Sequence, residues 1–74
     1  MFNNALGGAN MATTILRLPD VIIRTGLSRS TLYRKISRGE FPTQVLLGDR
    51  AVGWIEEEII DWLNQQIKLS RETV

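Results

Sequence analysis

The chain has 74 residues, nine basic and eight acidic, for a formal net charge of +1, and 43% of its residues are apolar. That length fits one small domain, which buries only about 60% of the surface exposed when unfolded and must use its core economically. With no cysteine and no histidine, disulfide staples and histidine-based catalytic triads are excluded, a structural zinc has none of its usual ligands, and no apolar run approaches the ~18 residues of a bilayer span.

Residues 1–10 carry no charge and contain a Gly7-Gly8 pair and three asparagines. They lack the basic start and long apolar stretch of a signal peptide, so a cytoplasmic protein is expected. Residues 1–13 read as a flexible leader, with Met11 placed where a compact domain could begin. The domain itself is expected over residues 14–69, with residues 70–74 frayed.

Pro19 opens the first predicted helix, because a missing N–H costs nothing at the first helical position. Asp20 suits the positive end of the helix dipole, Val21, Ile22 and Ile23 supply apolar side chains, and Gly26 ends the helix as a left-handed cap. Ser28 is an N-cap for a second helix over residues 29–38, stopped by Gly39 and then Pro42. Leu32 and Ile36, spaced i, i+4, form its apolar stripe, while Ser30, Tyr33, Arg34 and Ser37 fall on the opposite side. Val45-Leu46-Leu47 and Ala51-Val52 flank Gly48-Asp49, which predicts a β-hairpin with a type I′ or II′ turn. The last helix is predicted from Glu56 to about Leu69. Its apolar stripe of roughly 160° comprises Ile55, Ile59, Ile60, Trp62, Leu63 and Ile67. Mainly α with a small β-hairpin, this order is that of a winged helix-turn-helix.

Two helices joined through Gly26-Leu27-Ser28 have the form of a helix-turn-helix. Leu27 is expected to plug the turn, and Leu32 to anchor the second helix against Val21 and Ile22. The free face of that helix suits a DNA major groove, about 12 Å wide. The candidate DNA-contacting residues are Ser28, Arg29, Ser30, Thr31, Tyr33, Arg34, Ser37, Arg38 and Arg50. Arg29 and Arg34 are the best candidates for guanine, since a guanidinium fork can bond O6 and N7 together. Ser28 is better suited to capping, Lys35 and Arg38 to backbone contacts, and Arg50 at the hairpin to phosphate or a narrowed minor groove. The bland alternatives are solvated surface charges, with Arg50 paired to Asp49 or a C-terminal glutamate.

Longer stretches carry a resemblance. Arg17-Leu18-Pro19-Asp20-Val21 and Arg24-Thr25-Gly26-Leu27-Ser28-Arg29-Ser30-Thr31-Leu32-Tyr33-Arg34 resemble the AlpA family of phage regulators. The same pattern continues in Gly39-Glu40-Phe41-Pro42, Leu47-Gly48, Arg50-Ala51-Val52-Gly53-Trp54, Glu56, Glu58 and Trp62-Leu63. The resemblance runs from Leu16 to Gln65. It implies a winged helix-turn-helix related to MerR-type and excisionase domains, working in a prophage or genomic island. Activation of integrase or excision genes, or service as an excision factor, is implied with it. Ile55, Glu57 and Lys35 depart from the pattern, all away from the candidate DNA face; the Lys35 stem can still cover apolar surface.

An enzyme is not expected: Glu56, Glu57, Glu58 and Asp61 read as a solvated helix start, and the chain leaves little room for a substrate cavity of ~300 Å³. No cofactor or metal is expected. The main rival is a protein-interaction module in which the Trp62 helix docks an integrase or a second copy, the simpler reading being that Trp54 and Trp62 are core. Double-stranded DNA is the expected partner, with no membrane or small-molecule substrate. The small net charge does not oppose this. Residues 17–50 hold seven basic and three acidic groups, whereas residues 51–74 hold two basic and five acidic. Near-neutrality is a cancellation between a basic half and an acidic helix.

Overall fold

A computed structural model describes residues 13–72, which form three helices and three short strands. In chain order these are β1 (Ile15–Leu16), α1 (Leu18–Thr25), α2 (Arg29–Ser37), β2 (Val45–Leu46), β3 (Val52–Ile55) and α3 (Glu56–Glu72). The expected order of helix, helix, hairpin, helix is present, and the fold is a winged helix-turn-helix. The flexible leader expected at the N-terminus lies outside the described residues, apart from Thr13.

Strand β1 adds to the elements expected from the sequence. It pairs antiparallel with β3, Ile15 opposite Ile55 and Leu16 opposite Trp54, so the hairpin is part of a three-stranded sheet of order β1-β3-β2. The Glu56 N–H donates to the Thr14 carbonyl at 2.9 Å, which carries the pairing to the first residue of α3. Gly53 makes the close approach of these strands possible. A methyl group there would strike the Ile15 side chain and lie 3.1 Å from both the Leu16 carbonyl oxygen and Leu47 Cδ1. Gly53→Ala is therefore expected to cost about 1–3 kcal/mol through overpacking, measurable as a lower midpoint in urea unfolding.

The hairpin turn differs from the predicted two-residue type. Leu46 pairs with Val52, and the Leu47 N–H donates to the Ala51 carbonyl at 2.7 Å. Gly48, Asp49 and Arg50 are left as the tip. Types I′ and II′ need a positive φ at their first central residue. Among the described residues, the glycines with positive φ are Gly26 and Gly39, so a wider tip spares Gly48 that requirement.

The core takes a buried side chain from almost every segment: Leu16, Val21, Leu32, Phe41, Trp54 and Ile59. Leu18, Leu27, Tyr33, Ile36, Val52, Trp62 and Leu63 pack around it, partly buried. Two features join the α2–β2 connection to this core. Trp54 Nε1 donates to the Pro42 carbonyl at 3.1 Å and Trp62 Nε1 to the Glu40 carbonyl at 2.8 Å. Phe41 lies between them in sequence and meets Trp62 edge-on, with ring centroids 4.8 Å apart. Both tryptophans thus have core roles, Trp62 at the boundary.

Some apolar assignments need correction. Ile23 is 78% exposed, because α1 is only two turns long and its buried line runs through Val21. Ile22 is half-buried outside the central cluster, so Leu32 packs in a cluster with Val21 rather than with both. In α3 the buried line is narrower than roughly 160° and shorter than the helix. Ile59 is buried, but Ile60 and Ile67 are 42% and 48% exposed. All residues from 64 to 72 are exposed. The helix continues to Glu72, past the Leu69 boundary and through three of the residues expected to fray; residues 73 and 74 lie outside the described residues.

Candidate nucleic-acid interface

The joint between α1 and α2 is built by short polar residues around one glycine. Gly26 takes φ 73° and ψ 8°, and its N–H donates to the Ile22 carbonyl at 2.8 Å. That left-handed backbone is cheap only for glycine. Thr25 stitches the turn: its hydroxyl donates to the Val21 carbonyl at 2.8 Å and accepts from the Leu27 N–H at 3.2 Å. Leu27 then turns inward against the core, the plug expected of it.

Ser28 begins α2 as its N-cap. Its Oγ accepts from the Thr31 N–H at 3.2 Å and donates to Thr31 Oγ1 at 2.9 Å. Replacing Ser28 with alanine should cost about 1 kcal/mol, seen as reduced urea stability. No acidic residue stands in the first turn of α2, so the partial positive charge at this end is not neutralised there. At the other end, Gly39 adopts φ 71°. The Gly39 N–H donates to the Ile36 carbonyl at 3.0 Å and the Glu40 N–H to the Lys35 carbonyl at 2.8 Å. These paired bonds close the helix in a Schellman motif.

Eight of the nine candidate positions, all but Arg50, lie on α2 or at its caps, and their surroundings differ. Ser30, Arg34, Ser37 and Arg38 are exposed and follow one another around the side of α2 away from buried Leu32. Arg38 is the C-cap residue rather than part of the helix. Arg29 is exposed as well, but at 3.6 residues per turn it stands only about 60° round the helix from Leu32, on the flank of that face. Ser28 and Thr31 are committed to the cap, and Tyr33 is half-buried with its ring 6.4 Å from that of Trp54, edge-on. Tyr33 is thus a core-boundary residue, which its place among polar neighbours in the sequence concealed. Ser37 Oγ donates to the Arg34 carbonyl at 2.7 Å, leaving that hydroxyl oxygen as an acceptor.

Charge is arranged around this face rather than across it. Among the described residues the one ion pair joins Arg24 Nη2 to Glu56 Oε2 at 2.8 Å, binding the end of α1 to the start of α3. Among the described residues, the four cations Arg29, Arg34, Lys35 and Arg38 have no carboxylate partner. Lys35 is half-buried, consistent with its stem covering apolar surface. Arg50 is exposed at the hairpin tip without an ion pair to Asp49 or to a glutamate of α3. Arg17, which composition alone did not single out, donates from Nε to the Val52 carbonyl at 2.9 Å and ties the start of α1 to the wing.

An open groove of about 630 Å³ lies between the α2–β2 connection and α3, lined in part by Glu40, Phe41, Glu58, Asp61 and Trp62. It is larger than chain length suggested, because α3 projects past the body and one wall of the groove is its exposed flank. Among the described residues, no group of three or more Asp or Glu is placed to hold a metal ion, and no helix is long and apolar enough to cross a membrane.

Comparison with known proteins gives these features a context. Residues 14–68 match the sequence profile of the prophage CP4-57 regulatory protein (AlpA) family. The chain belongs to the AlpA family. An AlpA relative from Escherichia coli (strain K12), a DNA-binding transcriptional activator, is 45% identical over 64 residues, covering 78% of this chain and 91% of its own. The uncharacterized protein ORF88 of Enterobacteria phage P4 is 48% identical over 52 residues, covering 70% of this chain and 59% of its own. The AlpA match includes both helices of the helix-turn-helix, the wing and most of α3. AlpA proteins are regulators rather than enzymes, so the groove beside Trp62 needs no catalytic explanation.

Proposed function

We propose that this protein is a sequence-specific DNA-binding transcriptional regulator of a prophage or genomic island, acting in the bacterial cytoplasm and activating integrase or excision genes. The observation that carries the reading is the exposed side of α2, which offers Arg34 and Arg38 beside Ser30 and Ser37 with no carboxylate to neutralise them. A major groove accepts one helix, and side chains near its N-terminal end reach base edges. Arg29 and Arg34 are the guanine readers in this arrangement. Lys35 and Arg38 hold the backbone, and Arg50 at the wing tip contacts phosphate or the minor groove. Ser28 and Thr31 act mainly by fixing the start of α2, and Tyr33 by seating its middle.

One copy presents a single short recognition helix and reads only a few base pairs. Cooperative binding to repeated or paired sites follows, through self-association on DNA or through an integrase. Service as an excision factor is the second reading, favoured by the phage origin of one relative and by the fact that both roles use the same DNA-binding domain. Footprinting across the host prophage separates them. Protection at a promoter supports transcriptional control, protection within an attachment site supports excision, and no protected segment anywhere overturns both.

A further inference from the structure

The DNA-binding reading uses α2 and the wing and leaves α3 without a task beyond its first two turns. Nine consecutive residues, 64 to 72, are exposed, yet this half of the helix is not uniformly polar. Ile60 and Ile67 are 42% and 48% exposed, and half-buried Leu63 lies between them. The spacing 60, 63, 67 follows the three-and-four alternation of a helix-pairing seam, and it passes from the packed half of α3 to the unpacked half.

A second line of side chains runs beside this seam. Glu57, Asn64 and Arg71 recur every seven residues, about 40–60° to one side of Ile60 and Ile67 on average. Its ends carry opposite charge, and its middle is neutral. A second copy laid parallel would put the two lines on opposite flanks of the seam, where Glu57 and Arg71 find no opposite charge across it. Laid antiparallel about a two-fold axis near Asn64, it sets Glu57 against Arg71 of the other copy twice over. The same register places Leu63 opposite Ile67 of the other copy, again twice. Charge and apolar pattern therefore select one orientation and one register.

We propose that α3 is a self-association surface, pairing antiparallel with α3 of a second copy of this chain around Asn64. The contact spans about four turns of one helix from each copy, short of the roughly 20–30 residues a side of a stable interface. The pair is weak in free solution and becomes effective when two copies are held near one another, as on neighbouring DNA sites. Isologous pairing of this kind gives a closed dimer rather than a filament.

The chain has no cysteine, so single-cysteine variants test the geometry directly with a short bis-maleimide linker. Asn64→Cys should cross-link to a covalent dimer well above Gln65→Cys, whose side chain stands on the far side of α3 and reports random collision. Glu57→Cys and Arg71→Cys should each remain monomeric alone and form a mixed dimer when combined, since each lies beside the other across the two-fold axis. Glu57→Arg and Arg71→Glu should each reduce the Asn64→Cys product, and the two reversals together should restore it. Cross-linking of Asn64→Cys no better than Gln65→Cys overturns the proposal, as does homodimer formation by Glu57→Cys and Arg71→Cys alone. These arms use no DNA and are independent of the regulatory reading. One further arm rests on that reading: Ile67→Glu should weaken binding to a paired-site probe at least about tenfold and leave a single-site probe unaffected. Equal loss on both probes would contradict a role for the seam in pairing.

Discussion

Replacing Trp54 with alanine is expected to destabilise the protein by about 3–5 kcal/mol, more than truncation of any other core side chain. Trp54 is fully buried and belongs to β3, the central strand of the sheet. Its ring packs in the central cluster and meets Tyr33 of α2 edge-on, and its indole N–H satisfies the Pro42 carbonyl. Truncation opens a cavity and leaves that carbonyl without its donor, two costs that add. Total stability for a domain of this size is on the order of 4–11 kcal/mol, so the loss is a large fraction of the whole. Circular dichroism during urea titration would show a midpoint shifted far to lower denaturant. By contrast, Trp62→Phe keeps most of the ring contact with Phe41 and loses one hydrogen bond to Glu40, for a cost of about 0.5–1.5 kcal/mol. Similar midpoints for Trp54→Ala and the unaltered protein would mean that β3 does not centre the core.

The second large effect is on DNA. Arg34→Ala should cost about 1–3 kcal/mol of binding at one base position and relax specificity there, while leaving the urea midpoint nearly unchanged. Arg34 is exposed, without an ion pair, and far round α2 from Leu32, so its loss removes no core contact. Lys35→Ala should instead weaken binding by a smaller and uniform factor across sequences, as a phosphate contact does. Binding of each variant to a set of single-base operator substitutions, measured by fluorescence anisotropy, separates the two patterns. Equal loss by Arg34→Ala on every sequence would reassign Arg34 to the backbone.

Much of the fold could be read from residues whose local chemistry points one way. Gly26 and Gly39 sit where a helix must stop in the left-handed region, Ser28 where a helix needs an acceptor, and Pro19 where a missing N–H is harmless. Each of these acts within a few residues of itself. What escaped reading depends on neighbours distant in sequence. Strand β1 has two residues, too few for an alternation to show, and exists because β3 offers it an open edge; the β-branched run Thr13-Thr14-Ile15 was its only signal. The wider wing tip reflects the Leu46–Val52 register, which a Gly-Asp pair alone does not specify. Ile23, Ile60 and Ile67 are apolar by composition, but the body of a domain this small does not reach them.

The candidate site shows the same division. Helical spacing placed Ser30, Arg34 and Ser37 together on the open side of α2, as the structure has them. Tyr33 belongs between that side and the core, because Trp54 arrives from β3 to meet it, a contact no local pattern contains. Arg24 counted among the basic groups of the first half, yet its charge is spent on Glu56, which joins the two oppositely charged halves of the chain.

The most direct test of DNA recognition through α2 and the wing is the salt dependence of binding. With about five phosphate contacts, from groups such as Lys35, Arg38 and Arg50, the plot of log K against log salt concentration should have a slope of about −4.5. The Arg50→Ala variant should reduce that slope by about one. Binding that does not change with salt, or a slope unaltered when these cations are removed, would contradict the account.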